Sequence, residues 1–347
     1  MTLENQTPAR KQSRHVTFSP VLLLAFVFIT LMGCASSGSA YVPKQADGAL
    51  AVVNKSDNSV SVIDLNSKRI VNTLPTGQGP HELVLSPDLR WAVSTDFVGG
   101  NSLSVFDMQA QTLARTIELS ALPGLHGIRF LKDNEHVIFT SGKAQKVGIA
   151  NVISGEVVTS INTDQATTHM LALSADEATA YATNIRANSI SVIDVAKRTK
   201  TKDIATEAMP EAINYRKSAH ELWYGANQDG KLVVIDPDTE EVLASWDGFT
   251  FPYRVLFNHD ETVAIVPDFR AHNVRFFDTN TKQELATLAL ETQAGPQGIV
   301  LHPSKDIAYL SLNLKNKVVA IDIAKQVIIE EYPTGNNPDG LVFIQAK

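Results

Sequence analysis

The sequence predicts an all-β protein, a seven-bladed β-propeller with four-stranded blades, and three observations support this prediction. The first is a short alternating apolar run that ends in Asp or Asn, such as Ser59-Val-Ser-Val-Ile-Asp64. Successive copies end 42 to 44 residues apart, which is the repeat length of propeller blades. The terminal residues of these runs are Asp64, Asp107, Asn151, Asp194, Asp236, Asp278 and Asp322.

The second observation is another repeated segment, whose fullest form is Gly79-Pro-His-Glu-Leu-Val-Leu-Ser-Pro-Asp88. Proline fixes φ and lacks an N–H donor, so it suits the start of a strand. The continuous apolar run after it is typical of a strand that is buried on both faces. The third observation is that β-branched segments alternate with Asn, Asp, Gly and Ser turns, without a long stretch of helical periodicity.

The chain ends predict how the ring closes. Residues 49–53 form the first strand of the repeat region but lack an innermost strand before them. Residues 340–345, Gly-Leu-Val-Phe-Ile-Gln, are a spare strand at the C-terminus. We predict that this segment completes the first blade and removes an exposed sheet edge. The degenerate third copy, residues 146–151, predicts that its blade is less regular than the others.

Residues 1–33 are predicted to be a signal peptide. Three basic residues precede an apolar run at residues 21–32, and this run is shorter than the ~18 residues that a membrane-spanning helix needs. The next segment, Leu31-Met32-Gly33-Cys34, resembles the bacterial lipobox, in which signal peptidase II cuts before a Cys that is then diacylated. Cys34 is the only cysteine in the chain, so an intrachain disulfide is excluded.

The mature chain is expected to consist of a lipidated tether, residues 34–48, and a propeller, residues 49–347. Two or more acyl chains on Cys34 would anchor it stably to a membrane. The resemblance to lipoproteins implies that Ala35 favours the outer membrane and the periplasmic face. Loss of residues 1–33 changes the formal net charge from −7 to −9, which speaks against nucleic acid as a partner.

Several segments resemble the YVTN repeat of YncE-like propellers. Examples are Ala51-Val-Val-Asn54 and Tyr181-Ala-Thr-Asn184, followed by Val-Ser-Val-Ile-Asp64 and Ile-Ser-Val-Ile-Asp194 respectively. The likeness covers residues 49–346. The resemblance implies a seven-bladed propeller in an exported or surface protein of a bacterium. It implies no particular reaction. Some YncE-like proteins are associated with DNA, but the acidic net charge argues against that role here.

Aligning the seven strand starts puts one residue of each blade at the same place, facing one end of the central channel. We call these the ring residues, and they are His81, His126, His169, Glu211, Tyr253, Gln297 and Asp339. Loops after the next strand are expected to add Asn54, Asp96, Asn184, Asn227, Asp268 and Asn313. The ring residues, together with Arg254 as an anion-binding group, are the predicted ligand site, because sites on such scaffolds usually lie on loops.

The three histidines also suit a metal site. Imidazoles from His81, His126 and His169, with Glu211, could bind Zn, Cu or Fe(II). Against this, adjacent sheets pack ~10 Å apart, and histidines at this position can instead bond to the backbone of a neighbouring blade. We therefore predict no cofactor and keep a transition metal as the alternative. Glu82 beside His81 is not expected to form an acid–base pair, because neighbours in a strand point to opposite faces.

The sequence thus predicts a monomeric, lipid-anchored binding module of the cell envelope that takes a small ligand or an envelope protein at the channel mouth. The alternatives are a metal-dependent hydrolase or lactonase, and an accessory protein for a metal or redox partner. No P-loop, GxGxxG, HExxH, CxxCH or GxSxG motif is present, so no catalytic residue is assigned. The repeated Asp residues are predicted to cap turns, since Asp after a strand bonds to the backbone of the following turn.

Overall fold

The computed structural model describes residues 48–345, and this range is a ring of seven four-stranded antiparallel sheets. The innermost strands of the seven sheets are β4 (Pro80–Leu85), β8 (Leu125–Phe130), β12 (Thr168–Leu173), β16 (Pro210–Arg216), β20 (Leu256–Phe257), β24 (Pro296–Leu301) and β28 (Pro338–Ile344). The second strands are β1 (Ala49–Asn54), β5 (Trp91–Asp96), β9 (His136–Ser141), β13 (Thr179–Asn184), β17 (Glu221–Ala226), β21 (Val263–Asp268) and β25 (Ile307–Leu312).

The outer half of each blade completes the sheet. The third strands are β2 (Ser59–Asp64), β6 (Ser102–Asp107), β10 (Lys146–Asn151), β14 (Ser189–Asp194), β18 (Lys231–Ile235), β22 (Asn273–Asp278) and β26 (Lys317–Asp322). The outermost strands are β3 (Arg69–Pro75), β7 (Thr112–Glu118), β11 (Val157–Asn162), β15 (Thr199–Ala205), β19 (Val242–Trp246), β23 (Glu284–Ala289) and β27 (Val327–Pro333). The predicted fold class is confirmed. Within residues 48–345, no helix is long and apolar enough to cross a membrane.

The core lies between the sheets. Strand β1 is buried at every position, whereas the outermost strand β3 exposes most of its side chains. Because a second or third strand is covered by a blade on each side, its side chains are removed from water in both directions. Burial of each large apolar side chain contributes roughly 1.5–3 kcal/mol, which explains why the inner runs of the repeat are continuously apolar.

The ring closes as the sequence predicts. Strand β28 pairs antiparallel with β1, with Ala49 opposite Ile344 and Val52 opposite Leu341. The N–H of Lys55 donates to the carbonyl of Asn337 at 3.1 Å. The first blade therefore contains both ends of the repeat region, and its sheet has the same four strands as every other blade.

The repeated acidic residues cap turns, as predicted. The Asp236 carboxylate accepts the N–H groups of Asp238 and Thr239 at 2.8 and 3.0 Å, and these bonds hold its pKa below the usual value. Each of the other six accepts at least one N–H group of the turn that follows it. The fourth residue after each cap has a positive φ, from 50° to 81°, so the turn geometry is the same in every blade.

The prediction of an irregular third blade is wrong. Strand β10 pairs along its length with both neighbours. Gly148, the residue at which this copy of the repeat departs from the others, lies opposite Phe139. The Phe139 ring occupies the space that a side chain would need, since a Cβ at Gly148 would lie 2.4 Å from it. The less regular blade is the sixth, where β20 has only two residues and Pro252 forms an isolated bridge to Asp268.

Candidate functional site

A β-bulge in the innermost strand positions each ring residue. In the second blade, Pro80 pairs with Asp96 and Leu83 with Ser94, so His81 and Glu82 together oppose the single residue Thr95. A bulge breaks the strict alternation of side chains and redirects them. The registers of the other six blades contain the same one-residue excess at the ring residue. The ring residues therefore lie at bulges rather than in regular strands.

The bulge overturns the expectation that His81 and Glu82 point to opposite faces. The Nδ1 atom of His81 lies 3.4 Å from Oε1 of Glu82. Both side chains are buried. The bulge interrupts the regular strand geometry that would turn these two side chains to opposite faces.

Threonine hydroxyls connect these bulges from blade to blade. Thr95 accepts the N–H of Glu82 at 3.2 Å and donates to the carbonyl of His126, in the next blade, at 3.0 Å. Thr140 accepts the N–H of Gly127 and donates to the carbonyl of His169. Further around the ring, Thr183 accepts the N–H of Met170 and donates to the carbonyl of Glu211, while Ser311 donates to the carbonyl of Asp339. We call this set the hydroxyl belt.

The three ring histidines pack closely, with His169 stacked on His126 and His81 tilted against it. The ring centroids of His81 and His126 are 4.2 Å apart, and those of His126 and His169 are 3.5 Å apart. The edge of Phe97 packs against them, 5.1 Å from His126 between centroids. His169 Nε2 lies 3.7 Å from the Glu211 carboxylate, which also accepts a hydrogen bond from Asn227 at 2.7 Å.

On the other side of His81, the ring residues form a buried ionic group around Asp339. Its carboxylate lies 2.9 Å from His81 Nδ1 and 3.1 Å from Lys55 Nζ, and it accepts a hydrogen bond from Tyr253 Oη at 3.2 Å. Lys55 also donates to Gln297 at 2.8 Å. Burial alone would raise the pKa of Asp339, but Lys55 and His81 outweigh it and hold the pKa well below its usual value.

The pKa values of two neighbouring histidines, His81 and His126, shift in opposite directions. Burial, with the charges of His169 and His81, holds the pKa of His126 well below its usual value. Burial also acts to lower the pKa of His81, but the carboxylate of Asp339 and its hydrogen bond raise the pKa overall. His126 is therefore neutral at neutral pH, and its Nδ1 contacts the Met170 sulfur at 3.2 Å.

Arg254 is not at the channel mouth as a free cation. It is buried and forms an ion pair with Glu82, which belongs to a blade on the other side of the channel. Its guanidinium lies 4.1 Å from the centroid of the Tyr253 ring and donates to the Tyr253 carbonyl at 2.7 Å. Glu82 more than offsets the burial penalty and raises the pKa of Arg254. This pair lies between two cavities that share no lining residue.

The cavity at the ring histidines has a volume of about 310 Å³, and we call it the mouth pocket. His81, His126, His169, Glu211, Tyr253 and Gln297 line it. Its rim consists of residues that the sequence prediction missed, namely Phe97, Ile185, Phe251, Phe269 and Arg270. Phe97, Ile185 and Phe269 each directly follow the last residue of a second strand. An apolar residue at that position, where a polar turn residue is expected, was the signal that could have identified them.

Most of the loop residues that were expected to extend the ring bond elsewhere. Asn54 donates to Ser59 and Ser61, and Asn184 donates to Ser189 and Ser191, each within its own blade. Asp96 likewise accepts from Ser102 and Ser104, Asp268 accepts backbone N–H groups of its own blade, and Asn313 donates to the carbonyl of Pro338. Only Asn227 contacts a ring side chain, Glu211.

The predicted metal ligands converge only in part. His81, Glu82 and His126 offer nitrogen and oxygen atoms within 4.8 Å of one another, and His169 does not belong to this group. However, Arg254 already pairs with Glu82, and Asp339 already lies beside His81. A cation at this place would have to displace a buried guanidinium, so the residues present fit a metal poorly.

The described residues thus define a β-propeller with a polar, aromatic-rimmed pocket at one end of its channel. A family model described as "YNCE-like beta-propeller" matches residues 165–344, just over half of the chain. The chain belongs to this family, and the predicted resemblance is confirmed. A search of curated proteins found no match.

Solved structures share the fold at low sequence identity. Kuenenia stuttgartiensis hydrazine synthase has a TM-score of 0.67 and 16% identity, covering 75% of this chain and 88% of that one. A functionally unknown protein from Desulfotomaculum acetoxidans DSM 771 has a TM-score of 0.72 and 12% identity, covering 87% and 100%. The dihydro-heme d1 dehydrogenase NirN, in complex with DHE, has a TM-score of 0.67 and 12% identity, covering 88% and 77%. These likenesses establish shape, not activity.

The opposed pKa shifts generate a prediction for NMR. An ordinary histidine is protonated below a pH of about 6.5. His126 should remain neutral as the pH falls below this value, whereas His81 should still be protonated when the pH rises above it. Long-range ¹H–¹⁵N spectra of the imidazoles, assigned with His126→Gln, measure both. Titration of the two rings together near the ordinary value would contradict the prediction.

The same shifts fix the sign of the stability change. Because the unfolded chain protonates His126 and the folded chain does not, this residue lowers the free energy of unfolding as pH falls below about 6.5. His81 contributes stability below its unfolded pKa, and that contribution is lost as pH rises through its raised folded pKa.

Proposed function

We propose that this protein is an exported, lipid-anchored binding module of the bacterial cell envelope that takes a small organic ligand in the mouth pocket. The observation that carries the proposal is the combination of closely packed imidazoles at the base of the pocket with an aromatic rim. Ligand sites in proteins are concave, mostly apolar and provided with a few convergent polar groups. The volume of about 310 Å³ is at the lower end of the usual range.

The rim and the base suit different parts of one ligand. Phe251 and Phe269 lie 6.0 Å apart between ring centroids, and Arg270 lies 4.7 Å from the centroid of Phe251. Such rings contact a flat apolar body well. At the base, neutral His126 and its neighbour His169 offer ring nitrogens for hydrogen bonds with a polar end of the ligand. A flat, partly apolar molecule with one polar end matches both regions.

An enzyme of the hydrolase or lactonase type is less well supported. His169 and Glu211 are 3.7 Å apart and could in principle act as an acid–base pair. Among the ring residues, which all lie in the described range, Tyr253 alone carries a hydroxyl. This hydroxyl donates to Asp339, and burial raises its pKa well above the usual value, so it is poorly suited to act as a nucleophile. For a metal-dependent enzyme, the ring offers only His81, Glu82 and His126 as ligands that lie close enough together. Glu82 is already bound by Arg254 in an ion pair.

Binding of simple aromatic probes tests the proposed site. Benzoate and indole, added to about 10 mM so that a 1 mM site is largely filled, should shift the imidazole NMR signals of His126 and His169 saturably. Phe97→Ala should weaken this binding several-fold, because an aromatic contact contributes about 0.5–1.5 kcal/mol. Leu285→Ala, at an exposed position of an outermost strand, is the matched control. Absence of any imidazole shift with both probes would count against the mouth pocket as a ligand site.

The anchoring part of the proposal rests on Cys34 and its lipobox-like context, which lie outside the described residues. Cells that express the protein should incorporate radioactive palmitate into it, and Cys34→Ala should abolish the incorporation, since no other cysteine is present. Fractionation of the membranes then reports which membrane holds the labelled protein. Palmitate labelling that persists in Cys34→Ala, or is missing from the unaltered chain, would refute lipid anchoring.

A further inference from the structure

A second cavity lies on the other side of the Arg254–Glu82 ion pair. Its volume is about 500 Å³, and side chains or backbone of all seven innermost strands or their ends line it. We call it the far chamber. It shares no residue with the mouth pocket, so it is a separate site at the opposite half of the channel.

The walls of the far chamber are aliphatic and incompletely covered. Leu85, Leu256, Val300 and Leu301 are only partly buried, although they lie on the innermost strands of the ring. Leu89, at the rim, is 39% exposed. The second strands beside them are almost completely buried. A concave apolar surface that remains open to solvent indicates a place where an apolar group binds.

Arg129 is the exceptional residue of this wall. It lies three residues after the ring residue His126, and the residues at the same place in the other blades are uncharged. They are Val84, Ala172, Asn214, Leu256, Val300 and Val342. Since the repeat does not require a charge at this position, the fold gives no reason for an arginine here.

The charge of Arg129 is not balanced by a carboxylate of its own. Its Nη1 donates to the carbonyl of Ile128 at 2.8 Å, and no carboxylate lies within 4.0 Å of its guanidinium in residues 48–345. The nearest acidic partner in the chamber, Glu82, is already paired with Arg254. Burial lowers the pKa of Arg129, Glu82 offsets this only in part, and the charge of Arg254 lowers the pKa further.

We propose that the far chamber binds a medium-chain aliphatic carboxylate, with its carboxylate on Arg129 and its alkyl chain along the aliphatic wall. Arg129 is half-buried, and a guanidinium that is largely removed from water without a carboxylate is unfavourable unless an anion pairs with it. The planar guanidinium retains unused N–H donors and can hold a carboxylate through two parallel hydrogen bonds. One unpaired positive charge matches a monoanion, whereas a phosphate dianion would leave excess negative charge beside Glu82. This inference does not depend on the function proposed for the mouth pocket.

Calorimetric titration of the full propeller with octanoate, octan-1-ol and octylammonium tests the proposal. Octanoate should bind saturably and at least about tenfold more tightly than the other two, because a charge-assisted hydrogen bond contributes about that factor. Arg129→Gln should reduce octanoate affinity by a similar factor, and Arg129→Lys should retain part of it. Arg69→Gln removes an exposed arginine from an outermost strand and should leave octanoate binding unchanged.

Two further measurements separate binding from a structural role of Arg129. Arg129→Gln should melt no lower than the unaltered protein, because it removes a half-buried charge that no carboxylate balances. Phe97→Ala, in the mouth pocket, should leave octanoate binding unchanged. Equal affinity for octanoate and octan-1-ol, or octanoate binding that survives Arg129→Gln, would overturn the proposal, as would a failure of octanoate to bind.

Discussion

The bulge in each innermost strand is the constraint on which both cavities depend. The hydroxyl belt bonds to the backbone N–H of the bulge in three of the seven blades. A propeller brings seven strands to one axis, where regular alternation would turn every second side chain away from the channel. The extra residue at the bulge lets neighbouring side chains such as His81 and Glu82 contact each other. Hydroxyls of Thr95 and Thr140 satisfy the N–H group that the bulge frees, and they tie it to the next blade.

The bulges also explain the division of the channel. Beside the ring residues lie Glu82 and Arg254 on opposite blades, with glycines between them, and a Cβ at Gly298 or Gly340 would approach backbone atoms to 2.3 or 2.5 Å. These glycines let neighbouring blades approach each other closely beside the ion pair. Such a buried pair is weak evidence for stability, since desolvation opposes the attraction. Its clear consequence is geometric, because it separates the mouth pocket from the far chamber.

The sequence predicted the repeat, the blade number, the capping Asp residues and the closing strand because each depends on local chemistry repeated seven times. It also predicted the ring residues, and the structure brings His81, His126 and His169 together. It missed what depends on register and on contacts across the ring. The bulge reverses the expected direction of the Glu82 side chain. Arg254 pairs with Glu82, which is 172 positions away in the sequence. The reason for a glycine at position 148 is visible only in the register of the sheet, which places Phe139 opposite it.

Amide hydrogen exchange in Thr140→Val tests most directly whether the hydroxyl belt holds the site. We expect the Gly127 amide to exchange at least about tenfold faster, since it loses a buried hydrogen bond, and the imidazole NMR signals of His126 and His169 to shift. Thr159→Val, on outermost strand β11, should leave both unchanged. Unaltered exchange at Gly127 together with unaltered imidazole signals in Thr140→Val would contradict the view that the belt positions the ring residues.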